Sequence, residues 1–463
     1  MAERLSPLDA SFLYLEQPNV HMHVGGVAIL DPSTHPKGRL SLDELASLIS
    51  DRIHLVPRFR QKVVFVPLGA GRPVWVDDAH FDLDFHIRRA ALPSPGGMRE
   101  LTDQVQRVHS RPLDRSKPLW EAYLIEGLED GHVAVFTKVH HAMIDGISGM
   151  DIGTVLFDFA EKPRRVRPEP WKPAPEPSPL ELLREALVET VSHPVRSVVE
   201  NAALAIQTPQ IIIDRARRVL GGLGTMAATG LASRGPFDVT VGAARRFAMT
   251  EVPVSDAKAI KNALGGKVND VILAAVASAL HELLKARGIA SRGMTLRAMV
   301  PVSTRDESQR MALGNQVSSI FVDLPVGPMK PAARLKKVVA ATGDLKSSHA
   351  AVAATALINL TKWAPPTLHA LAARLLARQR FANLVVSNVP GPQIPLYLAR
   401  ARLIAYYPVM PLAETTGLSV AVTSLSGTMG FGFTSDWDAL PDIEVLADGL
   451  QSAFQDLKKA ASV

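Results

Sequence analysis

The sequence predicts an α+β fold arranged as two domains, and three observations carry that expectation. The chain has 463 residues, too long for one ordinary hydrophobic core and suited to two of roughly 200 residues each. Stretches of period 2 and of period 3.6 are interspersed without the regular strand–helix–strand alternation of a parallel doubly wound sheet. Between them, residues 163–179 contain seven prolines together with Arg164, Arg165 and Arg167, a composition that favours extended polyproline backbone over any core element. The expected boundaries are therefore 1–162 for an N-terminal domain, 163–244 for a proline-rich linker and helical crossover, and 245–463 for a C-terminal domain.

In the first domain, Met22–Leu30 has the composition of a strand, and Leu42–Ile53 has amphipathic helical spacing behind Ser41, a residue able to cap free backbone N–H groups. Val63–Val66 and Pro73–Val76 are short strands flanking Gly69-Ala70-Gly71. Met98–His109 is helical. Leu119–Glu126 and His132–His140 are strands separated by Asp130-Gly131, a hairpin turn signal. Ser148–Glu161 has helical spacing, and so has most of Leu180–Arg218, with breaks at Pro194 and Pro209. In the second domain, which begins near Arg245, helices are expected at Ser255–Leu264, Asp270–Ala286, Pro331–Ser347, Ala350–Lys362, Thr367–Arg378 and Asp442–Ala460. Strands are expected at Leu296–Val302, Ser318–Leu324, Asn383–Val389, Leu403–Tyr407 and the pair Leu418–Leu425 and Gly430–Thr434.

Composition narrows the function. Cysteine is absent, which removes disulfides, thiolate metal sites and a cysteine nucleophile. A net charge of +6 over this length is mild; it suits attraction to anionic groups such as phosphates or acidic headgroups without demanding it. No basic run is interleaved with aromatics and no zinc-finger spacing occurs, so nucleic acid is not an expected partner. The N-terminal residues contain Glu3 and Arg4 and no apolar core of a signal peptide. The long uncharged stretches are broken by proline, glycine or strand-like alternation, so no spanning helix is expected.

The chemistry concentrates in His140-His141-Ala142-Met143-Ile144-Asp145-Gly146. Residues 132–140 alternate, so a strand delivers two adjacent histidines to its end, on opposite sides. One can face a cavity while the other packs in the protein. Gly146 allows a tight turn beside a ligand. A neutral imidazole titrates near neutrality and is suited to take a proton from a hydroxyl. No Gly-x-Ser-x-Gly nucleophile elbow is present; Gly417-Leu418-Ser419-Val420-Ala421 lacks the second glycine. His21 and His23 share a strand face, but no third ligand stands at useful spacing, so no metal is expected.

The segments Leu5-Ser6-Pro7-Leu8-Asp9-Ala10-Ser11-Phe12, His21-Met22-His23-Val24-Gly25-Gly26, Pro118-Leu119-Trp120-Glu121, the His-His-x-x-x-Asp-Gly run, Val268-Asn269-Asp270-Val271 and Ser387-Asn388-Val389-Pro390-Gly391-Pro392 together resemble the bacterial wax ester synthase/diacylglycerol acyltransferase family, along essentially the whole chain. The resemblance implies two similar domains of the chloramphenicol-acetyltransferase kind, forming a pseudo-dimer around a central substrate channel. It implies acyl-CoA as co-substrate and diacylglycerol or a long-chain alcohol as acceptor. His141 is then the general base, with His140 supporting, and no bound cofactor or covalent acyl-enzyme is needed. It also implies that Asp145 shapes its loop, with Arg305 the expected partner, and that Asn269, Asp270, Ser387 and Asn388 lie at the substrate site. Asp270 has a second reading, as the cap of the helix it begins. Ser387 and Asn388 have a second reading as the end of a strand, and Pro118-Leu119-Trp120 is expected to support the strand pair beside the motif. One departure stands at Ser424-Leu425, where relatives often carry Ser-Tyr.

Three alternatives remain open on the sequence. The His-x4-Asp spacing of His140 and Asp145 resembles glycerol-phosphate acyltransferases, in which His140 would be the base. A condensation-type transferase would use carrier-protein thioesters. A non-catalytic lipid-binding relative would keep the fold without turnover. Water-insoluble products would bring the enzyme to the inner face of the plasma membrane or to lipid droplets from the cytoplasm; Leu180–Ser233, with Arg196, Arg215, Arg217 and Arg218, has two readings, an interfacial patch or an interdomain crossover packed on the core. The oligomeric state is open.

Overall fold

The computed structural model describes residues 2–143, 153, 155–188, 231–303, 317–345, 367, 370, 371, 374 and 378–463. Of the expected helix at 148–161, residues 153 and 155–161 are described; it is helical at 153, 155 and 156 and ends there, 157–161 being irregular. The expected helix at 350–362, most of 367–378 and all of 189–230 lie outside the described residues.

The fold is mixed α+β and is built on two six-stranded sheets and one small sheet. The small sheet is antiparallel, in the order β1-β4-β3, with β1 Glu3–Arg4, β3 Gln61–Val64 and β4 Val74–Asp77. The first large sheet combines β2 His23–Asp31, β5 Ile87–Ala91, β6 Trp120–Glu126 and β7 Val133–His140 with β12 Tyr397–Leu398 and β13 Ala401–Val409, in the order β12-β13-β2-β7-β6-β5. The second contains β8 Arg245–Pro253, β9 Thr295–Ser303, β10 Val317–Pro325, β11 Leu384–Pro390, β14 Leu418–Leu425 and β15 Thr428–Asp436, in the order β10-β9-β11-β14-β15-β8. Each large sheet mixes parallel and antiparallel pairs: β5 runs parallel to β6, and β11 runs parallel to both β9 and β14. The first sheet thus draws strands from both 1–162 and 245–463.

Local chemistry accounts for most element ends. Helix α1, Pro7–Leu15, starts where Ser6 accepts the Asp9 N–H at 3.1 Å and Pro7 occupies the first turn. Helix α2, Leu42–Arg52, carries a reciprocal cap between Ser41 and Glu44. The short α3, Leu83–His86, is capped by Asp82, and α4 is Met98–His109. The β6–β7 hairpin turns through Asp130 and Gly131, both at positive φ (60° and 73°), the conformation for which an Asp-Gly pair is suited. In the second half, α5 Val254–Leu264, α6 Val268–Ala286, α7 Pro331–Leu345 and α8 Glu444–Ala461 lie against the sheet. Apolar residues of α6 and α8 join those of β8, β9, β11, β14 and β15 in one core. A second core underlies the first sheet. A third, with Val27, Leu101, Val105, Phe136, Phe247 and Tyr407, links α4 and the first sheet to β8.

The two large sheets meet where β13 crosses β15. A Cβ on Gly430 would lie 1.9 Å from the Tyr406 carbonyl oxygen, and one on Gly432 would lie 1.8 Å from that of Pro408. Only glycine permits this approach of backbone to backbone. The proline-rich run has no regular structure over 163–178, as its composition predicts. It is nevertheless anchored on the small sheet: Lys62 pairs with Glu176 at 2.9 Å, Asp77 accepts the Ala174 N–H at 2.9 Å, and the Arg60 guanidinium lies over the Trp171 ring. Where it begins, buried Arg52 of α2 pairs with buried Asp158 at 2.7 Å.

Candidate active site

The His-His motif sits at the end of β7, and the strand stops at His140 rather than running through both histidines. His141 opens a 3-10 turn, His141–Met143. Alternation over 132–140 identifies the strand, but the side of His141 is fixed by this turn. All eight β7 side chains are buried, so neither face is open to solvent.

His140 is paired across the sheet with His23 of β2. Its Nδ1 accepts the Ala142 N–H at 3.1 Å, which holds the turn against the strand end. Its Nε2 faces Glu16, the residue that ends α1, with Glu16 Oε1 at 3.6 Å. The same oxygen is 3.3 Å from Nε2 of His23. The other carboxylate oxygen takes the guanidinium of Arg115, whose Nε lies at 3.0 Å. Burial, opposed in part by Glu16, pushes His140 down to about 3. His23 and the adjoining His109 are also held well below the ordinary histidine value by burial.

The His141 backbone N–H donates to the Met22 carbonyl at 2.7 Å. Its ring stacks on Phe12 of α1, centroids 3.9 Å apart and planes 26° apart. Burial lowers it to about 4, so the free imidazole is the form present at neutral pH. Lys138, one residue pair back along β7, donates to the Val108 and Arg111 carbonyls at the end of α4 at 3.1 and 2.6 Å, with Glu121 3.7 Å away. Burial lowers it to about 8. Trp120 is packed rather than exposed: its indole donates to the Phe59 carbonyl at 2.9 Å and stacks on His86.

A second group forms between α6 and β11. Asn388 Nδ2 donates to Asn269 Oδ1 at 3.4 Å, so two residues far apart in sequence meet. Asp270 lies beside them and is committed to the helix, as its third residue rather than the cap before it: α6 begins at Val268, and Asp270 accepts the N–H of Lys267, the residue at the N-cap, at 2.8 Å and the Thr342 hydroxyl at 2.8 Å. Ser387 is half-buried on β11, beside Ala421 of β14. Asp145, Gly146 and Arg305 lie outside the described residues. Among the described residues, no hydrogen bond joins the histidine group to the asparagine pair, and no cluster of His, Asp and Glu is arranged to hold a metal ion.

Sequence reasoning passed over Glu16, Phe12 and His109. Phe12 lay inside a recognised segment, but nothing in a linear pattern connects it to His141. Glu16 follows a short helix whose only signal was Ser6-Pro7-x-Asp9.

The two-sheet architecture is shared with condensation domains. The starter condensation domain of rhizomide synthetase matches it over 100% of this chain and 95% of its own, with a TM-score of 0.57 at 13% identity, a likeness of fold. The wax ester synthase/diacylglycerol acyltransferase from Marinobacter aquaeolei matches over 99% of this chain and 100% of its own, with a TM-score of 0.70 at 27% identity. The family model for the wax ester synthase/diacylglycerol acyltransferase catalytic domain matches residues 5–272, and that for the family's C-terminal domain matches residues 313–458. Two Mycobacterium tuberculosis proteins carry the name diacylglycerol O-acyltransferase, in both cases as a provisional assignment. One is 35% identical, over 98% of this chain and 90% of its own length; the other is 32% identical, over 99% of each. The chain belongs to the wax ester synthase/diacylglycerol acyltransferase family and is an O-acyltransferase.

Proposed function

We propose that the protein transfers a fatty acyl group from acyl-CoA to the hydroxyl of diacylglycerol, of a long-chain alcohol, or of both, forming triacylglycerol or wax esters, with His141 as general base. The observation that carries this reading is the placement of His141, which opens a turn at the end of β7 and is fixed by Phe12 and by its own backbone N–H. The alcohol oxygen attacks the thioester carbonyl as Nε2 or Nδ1 of His141 takes its proton, the C–S bond breaks, and the imidazolium returns that proton to the CoA thiolate. An imidazolium is a stronger acid than an alkyl thiol, so return of the proton to the thiolate is favourable. No covalent acyl-enzyme is needed, in keeping with a chain that has no cysteine, and the chemistry needs no bound cofactor.

Asn269 and Asn388, brought together between α6 and β11, are assigned to the substrate site as hydrogen-bonding groups, with Ser387 beside them. Asp145 and Arg305 are assigned to shaping the motif loop. Both acceptors present a hydroxyl on an apolar body, and an apolar site separates such substrates weakly. The products are neutral lipids, so the enzyme is placed in the cytoplasm, in peripheral contact with the inner face of the plasma membrane or with lipid droplets. No described helix is by itself long and apolar enough to cross a membrane.

The test is purified protein with acyl-CoA and a panel of diacylglycerols and alcohols, following CoA release and lipid product. His141→Ala is expected to lower kcat by ~10²–10⁴-fold, and near-normal turnover in that variant would remove His141 as the base. Flotation with vesicles containing anionic lipid tests the surface contact, which falls if the protein stays out of the vesicle fraction.

A further inference from the structure

We propose that Glu16 is a positioning residue for the acyl transfer: its carboxylate fixes the ring of His140 with the proton on Nε2, so that Nδ1 holds the Ala142 N–H and thereby the turn that presents His141. This rests on the reading of His141 as base and goes beyond it by assigning a role to a residue outside the motif.

The argument begins with His140. An imidazole nitrogen that accepts a hydrogen bond carries no proton, and Nδ1 accepts from Ala142. Neutral His140 therefore carries its proton on Nε2. That nitrogen is buried and, among the described residues, has no hydrogen-bond partner within bonding distance; Glu16 Oε1 faces it at 3.6 Å. A buried carboxylate facing Nε2 favours the tautomer with a proton there and opposes the one with a bare lone pair there. In the opposite tautomer, Nδ1–H would face the Ala142 N–H, two donors would collide, and the turn would lose its anchor.

Glu16 is itself held in place. It ends α1, its side chain is 9% exposed, and Arg115 neutralises its outer oxygen. Among the described residues, the groups around the pair include His23 of β2 and His21 just before it, His140 and Lys138 of β7, His141, His109 of α4, Arg115 and Arg245. All of them are neutral or cationic, and Glu16 is the carboxylate that faces His140 and His23. Helix α1 thus supports the catalytic turn twice, with Phe12 against the His141 ring and with Glu16 behind His140.

The experiment combines nitrogen-15 NMR of histidine-labelled full-length protein with steady-state kinetics. The His140 ring signals are assigned by their loss in His140→Asn. The wild-type protein is expected to show His140 as the Nε2–H tautomer. Glu16→Gln is expected to shift the His140 Nδ1 signal and to lower kcat by ~10–100-fold across the pH range, the scale of a misplaced catalytic group. KM for acyl-CoA should stay within about twofold, and Glu16→Asp should recover part of the loss. An Nδ1–H tautomer of His140 in the wild-type protein overturns the proposal, and that measurement needs no variant to fold. Full kcat in Glu16→Gln also overturns it, as does a loss that only tracks the folded fraction with no recovery in Glu16→Asp. Absence of any acyl transfer by the wild-type protein would instead count against the function proposed above, and the tautomer would still decide the role of Glu16.

Discussion

At the scale of single residues, the site is a set of imidazoles kept neutral by burial. His141 at about 4 and His140 at about 3 bind protons more weakly in the folded chain than an unfolded histidine does at ~6.5. The unfolded chain therefore takes up more protons as the medium is acidified. The stability linked to these groups is fully present above about pH 6.5 and is lost as pH falls through that value toward the folded values. His23, His109, His86 and His21 are shifted in the same direction and add to the slope. The urea midpoint is expected to fall between pH 7 and pH 5; a midpoint constant over that interval would contradict the buried, neutral state. The arrangement was half legible in the sequence. The paired histidines marked the place, whereas Glu16 and Phe12 reach it only through the packing of α1, which no spacing encodes.

At the scale of elements, the contact between β13 and β15 depends on two positions without side chains. Gly432→Val places carbon where the Pro408 carbonyl oxygen already stands. It is expected to lower stability by ~1–3 kcal/mol or more, the range for forced overpacking, read by urea denaturation. Gly343 of α7 is the contrast: it is exposed, and a Cβ there meets nothing within 4 Å. Gly343→Ala should raise stability by ~0.5–1 kcal/mol through the helix preference of alanine. Equal effects of the two substitutions would show that backbone approach does not govern the first. Helices α2, α4, α5 and α6 and the β6–β7 and β14–β15 hairpins were readable from period and turn residues. The short β1, the edge strand β5 and the strand β8 were not, because 2–9 residues of ordinary composition carry little periodic signal.

At the scale of the whole molecule, the first sheet is completed from the far end of the chain. Strand β13 pairs with β2 over most of its length, from Arg402↔Asp31 to Val409↔Gly25, and β12 extends the edge. Residues 1–244 alone therefore leave β2 with an unpaired edge and part of its core open. A fragment of residues 1–244 is expected to show no cooperative urea transition, and co-expression with residues 245–463 should restore one. A cooperative transition from the first fragment alone would show that the borrowed strand is dispensable.

The sequence by itself determined the class of fold and the family, because periodicity, turn residues and a set of short motifs are local and survive in one dimension. It could not show that Asn269 and Asn388 touch, since they lie 119 residues apart. Only the tertiary structure decided which sheet β13 joins, that His141 opens a 3-10 turn, and that Glu16 stands behind the motif. Each of these depends on contacts between distant segments, where burial and backbone approach, rather than local preference, set the outcome.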